Sequence, residues 1–259
     1  MNKSKDSMGK PKSKRAIKRE EHDAVLFDLD GVITNTAAVH AACWKKMFDE
    51  YLQKHAAQKG EVFRPFDLVA DYRLYVDGKP RFDGVRDFLA SRGIRLSEGR
   101  PSDSARAETV RGLGKRKNAL VSQIIESKGV EAYAGSVQLI HQLRRNGFKI
   151  AVVTSSENCT AVLRSTKLDA LFDARIDGEM IERKHLAGKP APDTFLMGAK
   201  LLGVEPRRTV VIEDAISGVQ AAVRGSFGLV IGVARKGNVE ELRQQGANLV
   251  VNDLAELVE

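Results

Sequence analysis

The chain has 259 residues, with 42 Lys and Arg against 34 Asp and Glu, a formal charge of +8 with histidine neutral. Its hydrophobic content of 42% suits a sizeable core in one large domain or two unequal ones, and no apolar run approaches the roughly 20 residues of a membrane helix. The composition therefore argues against disorder throughout and against a membrane-spanning segment.

Residues 1–20 hold eight Lys and Arg against Asp6 and Glu20, and almost no apolar side chains. Such a segment cannot bury enough surface to offset its ordering entropy, so it is expected to be a disordered basic arm. Without it the remaining chain carries only +2, a weak footing for a nucleic-acid face, and no nucleic acid is expected on the folded core. The N-terminus lacks the apolar stretch of roughly 7 to 15 residues of a secretory signal, so the expected location is cytoplasmic. Cys43 and Cys159 are the only cysteines and have no C-x-x-C spacing. They read as reduced thiols, with Cys43 packing as a small hydrophobe.

Four short apolar runs, at 24–29, 149–154, 209–212 and 227–233, have the near-continuous β-branched or apolar character of strands buried on both faces of a parallel sheet. Helical periodicity follows the second run at 157–168 and the third at 216–224. This alternation predicts an α/β fold, a Rossmann-like doubly wound parallel sheet. The interval between the first and second runs is too long for an ordinary crossover. Its helical signals at 39–53, 84–92 and 117–128 predict an inserted, mainly α-helical domain over residues 37–131; the signal at 136–146 returns the chain to the sheet. The core is then expected over 21–36 and 132–259.

The chemistry-bearing residues fall at the ends of these runs. The first strand leads into Asp28-Leu29-Asp30-Gly31, and period-2 alternation places both carboxylates on one side, at the strand end where open α/β sheets bind ligands. Two acids so close need a cation or a proton between them. An EF-hand does not fit, because Val32 stands where an oxygen ligand is needed and Val39 where the closing Glu should be. The third strand ends in Glu213-Asp214, which neighbouring strand ends could bring to Asp28; converging oxygens completed by water describe a magnesium site. The second strand ends at Thr154-Ser155-Ser156-Glu157-Asn158, where hydroxyls and backbone N–H groups could cradle a phosphate or simply cap a helix. Lys189 lies in a loop stiffened by Pro190 and Pro192.

Taken in order, Asp28-x-Asp30-Gly31, Thr154, Lys189 and Glu213-Asp214 resemble the four motifs of the haloacid dehalogenase superfamily, over the chain from about residue 22 to its end. The run 27–34, with Thr36, His40, Trp44 and the loop 189–193, is similar to the β-phosphoglucomutase-like branch, mutases and phosphatases together. In the insertion, Arg81 and Arg116-Lys117-Asn118 match the branch's cap residues that face the active site.

The resemblance implies that Asp28 attacks phosphorus to give an aspartyl phosphate while Asp30 acts as acid and then base. It implies Mg²⁺ on Asp28, the Asp30 carbonyl and Asp214 with Glu213 near, and Thr154 and Lys189 on the phosphoryl oxygens. Thr36, His40, Arg81, Lys117, Ser155, Ser156 and Asn158 become the expected substrate contacts. The implied partner is a small phosphorylated metabolite. Glu157 departs from the mutase pattern, which has lysine there, and an acid at that place should repel a second phosphate. The leading expectation is therefore a Mg²⁺-dependent phosphatase of small phosphorylated metabolites, sugar phosphates foremost. The alternatives are a β-phosphoglucomutase activity and, from another class, an inactive binding module with a basic arm.

Overall fold

The computed structural model describes residues 16–235 and 237–259. In chain order the elements are β1 (Ala24–Phe27), α1 (Ala37–Lys59), a π-helical turn (Tyr72–Val76), α2 (Arg81–Ser91), α3 (Val110–Lys128), α4 (Ala134–Arg145), β2 (Lys149–Val153), α5 (Cys159–Ser165), β3 (Ala174–Ile176), α6 (Gly178–Lys184), α7 (Asp193–Leu202), β4 (Thr209–Glu213), α8 (Ile216–Arg224), β5 (Leu229–Val233), α9 (Val239–Gln244) and β6 (Leu249–Val251). The strands form one parallel sheet in the order β3-β2-β1-β4-β5-β6, the doubly wound α/β architecture expected from the alternation. The chain leaves β1 to one side for β2 and later returns on its other side as β4, so β1 marks the switch point where such sheets bind ligands.

Register decides what arrives there. Phe27 is level with Val152 of β2 and Ile212 of β4, and the Asp28 N–H donates to the Ile212 carbonyl at 3.0 Å. Asp28, Thr154 and Glu213 therefore emerge together from three adjacent strands.

Both faces of the sheet are covered. Val25, Phe27, Ile150 and Val152 pack with Leu139, Ile140 and Leu143 of α4; Leu26, Ala151 and Val211 pack with Phe195 and Ala199 of α7 and Val219 of α8. A third apolar cluster lies within the long segment between β1 and β2, where Trp44, Met47 and Phe48 of α1 meet Phe66, Phe88 of α2 and Leu113 of α3. Phe48 and Phe88 pack with ring centroids 4.2 Å apart.

The structure differs from the sequence expectations in several places. Strands β3 and β6 have three residues each, too short for periodicity to reveal. Helix α3 begins at Val110 rather than 117, because Gly112 and Gly114 interrupt the pattern for packing reasons: a Cβ at Gly114 would lie 2.7 Å from the Phe82 ring. The Thr109 side chain caps α3 by accepting from the Gly112 N–H at 3.0 Å. Helix α5 begins at Cys159 rather than 157, leaving 154–158 as a loop.

The arm expected over 1–20 falls, for residues 1–15, outside the described residues. Its last five residues belong to the fold instead: Ile17 packs against the core and the Arg19 guanidinium lies over the Phe148 ring. Arg19 also donates to the His22 carbonyl and to Asp23, both at 3.1 Å. Among the described residues no helix is long and apolar enough to cross a membrane, and Cys43 and Cys159 are buried free thiols.

Candidate active site

Three carboxylates converge beyond the strand ends. Asp28, Glu213 and Asp214 are all buried, and each offers an oxygen within 4.8 Å of the others. Lys189, whose side chain is 1% exposed, places Nζ 2.6 Å from Asp28 Oδ1 and 2.5 Å from Glu213 Oε1. Burial drives the Asp28 carboxyl well above its usual range; the Lys189 charge opposes this, and the Glu213, Asp30 and Asp214 carboxylates add to it. Burial works against the charge of Lys189 too, but Asp28 and Glu213 outweigh it and hold the lysine protonated, above its ordinary value.

Glu213, expected with or near the metal ligands, lies in the same three-carboxylate cluster; its Oε1 accepts from Lys189 and its Oε2 from the Ala215 N–H at 2.8 Å. Its geometry is that of a clamp on the lysine. Asp28 and Asp214 remain as an all-oxygen pair, the hard donor type that suits Mg²⁺. Gly31 has φ +94° and makes room for this pair: a Cβ there would lie 2.3 Å from Asp214 Oδ2.

Asp30 is turned toward a different set of groups. Thr36 donates to Oδ1, Thr154 donates to Oδ2 at 3.2 Å, and His40 Nε2 is 3.5 Å from Oδ1 without forming a hydrogen bond. The buried Lys117 ammonium lies 2.9 Å from His40 Nδ1 and over the Trp44 ring. Burial lowers the Lys117 pKa to about 7, with the Arg81 charge adding to the effect. Burial, and then the Lys117 charge, lowers that of His40 to about 4, so the imidazole is neutral at pH 7. With Nδ1 accepting from Lys117, the imidazole proton sits on Nε2, facing Asp30.

The segment between β1 and β2 closes over these groups. Arg81 Nη2 of α2 is 2.5 Å from Glu157 Oε1, and Asn118 Nδ2 of α3 approaches Glu157 Oε2 at 3.5 Å. Arg81, Lys117 and Asn158 are the groups from which the sequence allows compensation for Glu157, and in the structure Arg81 pairs with it directly. Ser155 Oγ donates to the Gly78 carbonyl at 2.9 Å and Ser217 Oγ to the Asp77 carbonyl at 2.8 Å, tying the loop at 77–78 to the loop after β2 and to the start of α8.

Among the expected residues, Asp28, Asp30, His40, Arg81, Lys117, Thr154, Ser155, Ser156 and Asp214 line one cavity of about 60 Å³. Lys189 and Glu213 are buried and do not line it. Thr36 reaches it only through Asp30, and Asn158 not at all: its amide donates to Asn118 Oδ1 at 2.9 Å and accepts from Ser122 Oγ at 3.1 Å, holding Asn118 in place. Because 154–158 is a loop, it brings Thr154, Ser155 and Ser156 to the cavity rather than a helix end. The cavity also contains Tyr72, Asp77 and Lys79, to which the sequence reading gave no role. The stretch 71–81 that carries them stands out in the sequence as unusual for the branch, but nothing in it assigned Tyr72, Asp77 or Lys79 a role.

A buried carboxylate beside a held ammonium, a second carboxylate with its own donors, and cationic groups in the covering segment are suited to moving an anionic group onto and off Asp28. Comparison with known proteins agrees. Residues 22–225 match the haloacid dehalogenase-like hydrolase family. A β-phosphoglucomutase of Mycobacterium bovis is 48% identical over 242 residues, 92% of each chain, and one of Bacillus subtilis is 30% identical over 90% of this chain and 91% of its own. The crystal structure of β-phosphoglucomutase from Clostridium difficile superposes with a TM-score of 0.69 at 27% identity, covering 91% of this chain and 93% of that one.

Proposed function

Because the chain belongs to the haloacid dehalogenase-like hydrolase family, we propose that it is a Mg²⁺-dependent phosphoryl-transfer enzyme acting on sugar phosphates through an aspartyl phosphate on Asp28, and that its reaction is of the β-phosphoglucomutase type. The observation that carries the mutase reading is the Arg81–Glu157 pair. With Glu157 matched, the covering segment still brings Lys117 and Asn118 to the cavity that holds Asp28, so the site offers cationic or donor groups for two anionic ends of one substrate. Hydrolysis of a monophosphate needs only one. The 48% identity to the mycobacterial β-phosphoglucomutase supports the same choice.

Asp28 is the nucleophile: Lys189 fixes one of its oxygens, and Glu213 fixes Lys189. Mg²⁺, held by Asp28 and Asp214 and the Asp30 carbonyl, would supply positive charge that keeps Asp28 ionised and offsets the phosphoryl oxygens. Asp30 gives a proton to the departing sugar oxygen and takes one from the incoming hydroxyl. Thr36, Thr154 and the His40 Nε2–H surround its carboxylate and hold it ready for both roles. Thr154, Ser155 and Ser156 contact the transferring phosphoryl group, while Lys117 and Asn118 receive the second phosphate, joined by Arg81 when it leaves Glu157. A cavity of about 60 Å³ is well below the roughly 300 Å³ or more of ligand sites, so the covering segment must swing away for substrate to enter.

The test is to supply β-glucose 1-phosphate with Mg²⁺ and a trace of glucose 1,6-bisphosphate, and to follow glucose 6-phosphate and inorganic phosphate together. Interconversion faster than phosphate release is the expected result. Phosphate release without interconversion would assign the chain to the phosphatases.

A further inference from the structure

Among the described residues Asp77 is the only carboxylate that the insertion contributes to the cavity. Its placement is over-determined. The Asp77 N–H donates to the Tyr72 carbonyl at 2.9 Å, closing the π-helical turn, and the Asp77 carbonyl accepts from Ser217. The next residue, Gly78, has φ +70°, and a Cβ there would lie 2.5 Å from Ser217 Oγ, so no side chain fits at this crossing. Such single π-helical turns often accompany functional sites. Tyr72 is buried, and its hydroxyl hydrogen-bonds the Asp77 carboxylate; burial first, then Asp77, Asp214 and Asp30, hold the phenol protonated and hence a donor.

Neither side chain has a part in the phosphoryl chemistry above. A carboxylate here repels the phosphate groups of a substrate, but it accepts strongly from uncharged hydroxyls. The cavity is thus divided: Arg81, Lys117 and Asn118 on α2 and α3 suit anions, while the turn at 72–77 suits a polyol. We infer that Asp77 is a specificity-determining residue that accepts hydrogen bonds from ring hydroxyls of the sugar phosphate, with Tyr72 as the residue that positions it. This inference rests on the phosphoryl-transfer reading of the same site.

The experiment compares wild type, Asp77→Ala, Asp77→Asn and Tyr72→Phe on β-glucose 1-phosphate, its 2-, 3- and 4-deoxy analogues, and acetyl phosphate, which has no hydroxyl to read. Asp77→Ala should lose about tenfold or more kcat/KM on the sugar phosphate relative to acetyl phosphate, chiefly through KM. The deoxy analogue that lacks the hydroxyl contacted by Asp77 should show no such extra loss. Asp77→Asn keeps the shape and an acceptor for Tyr72, so it should fold, and with Tyr72→Phe it should show the same pattern more weakly. Equal losses on acetyl phosphate and every sugar would overturn the inference and leave Asp77 a structural residue. Wild type inactive on all of these compounds would overturn the phosphoryl-transfer reading and this inference with it.

Discussion

Arg81 and Glu157 meet at 2.5 Å across the boundary between the inserted helices and the sheet domain, with side chains only 11% and 26% exposed. The contact does two things at once. It matches a carboxylate that would otherwise repel an anionic substrate, and with Arg73–Glu241 at 2.6 Å and Arg111–Glu182 at 2.7 Å it draws the insertion onto the core.

Releasing Arg81 from Glu157 should therefore strengthen binding of a doubly phosphorylated ligand. One unit charge removed at about 6 Å and an effective dielectric of about 20 is worth roughly 3 kcal/mol, and solvent exposure halves it or more. Glu157→Gln, which keeps the shape, should lower the KM for glucose 1,6-bisphosphate about tenfold. A KM that instead rises would show that the pair serves to hold the insertion shut.

Lys189 neutralises Asp28 and Glu213 in a place where water cannot. Lys189→Met leaves two buried carboxylates facing each other, and breaking a buried pair in this way costs about 3–5 kcal/mol. Urea unfolding without Mg²⁺ should show that loss, Glu213→Gln in the same chain should recover part of it, and turnover should fall by several orders of magnitude. A stability loss below about 1 kcal/mol would mean that one carboxylate already carries a proton and the lysine is not needed for the fold.

Most of this site was legible because three of its four motifs sit at strand ends: Asp28, Thr154 and Glu213 need only the sheet register to meet, whereas Lys189 comes from the loop between α6 and α7. What sequence could not show depends on tertiary closure. Ser217 lies 140 residues from Asp77, and the turn that carries Tyr72 and Asp77 gains meaning only when the insertion folds back. Asn158 was placed in the substrate site by its motif, yet Asn118 and Ser122 of α3 claim it. Gly112 and Gly114 carry no side chain to show periodicity, so the first turns of α3 went unseen, and both are contact points. The edge strands β3 and β6 are too short to announce themselves.

If Lys117 binds a substrate phosphate as proposed, substrate binding should depend on pH. Its pKa of about 7 lies below the ordinary lysine value, so its charge fades as pH rises through 7. The groups around it are Arg81 of α2, His40 and Cys43 of α1, and Asp30 and Glu157 of the core. KM for the bisphosphate should rise between pH 6 and 8, and Lys117→Met should abolish that dependence. The sign for stability follows from linkage: the unfolded chain holds this proton up to about pH 10. Stability should thus increase from pH 7 toward 10, and the penalty for burying the charge should be fully present below 7. A pH-independent KM in wild type would remove Lys117 from the phosphate site.

Gly31 offers a test of the metal site that leaves every ligand in place. Its φ of +94° is strained for any other residue, and a Cβ would lie 2.3 Å from Asp214 Oδ2 and 2.7 Å from Cγ, so Gly31→Ala must push the Asp214 carboxylate away from Asp28. Gly60, at φ +68° with nothing within 4 Å of a Cβ, is the matched control for backbone strain alone. Gly60→Ala should cost about 1–2 kcal/mol of stability and leave Mg²⁺ affinity unchanged. Gly31→Ala should cost at least as much and weaken Mg²⁺ binding tenfold or more. Wild type at a Mg²⁺ concentration of about 100 times its Kd should gain roughly 2.7 kcal/mol over the chelated protein, and most of that gain should be missing in Gly31→Ala. Calorimetric titration with Mg²⁺ and unfolding with and without chelator would measure both; equal Mg²⁺ affinity in the two glycine variants would place the ion elsewhere than between Asp28 and Asp214.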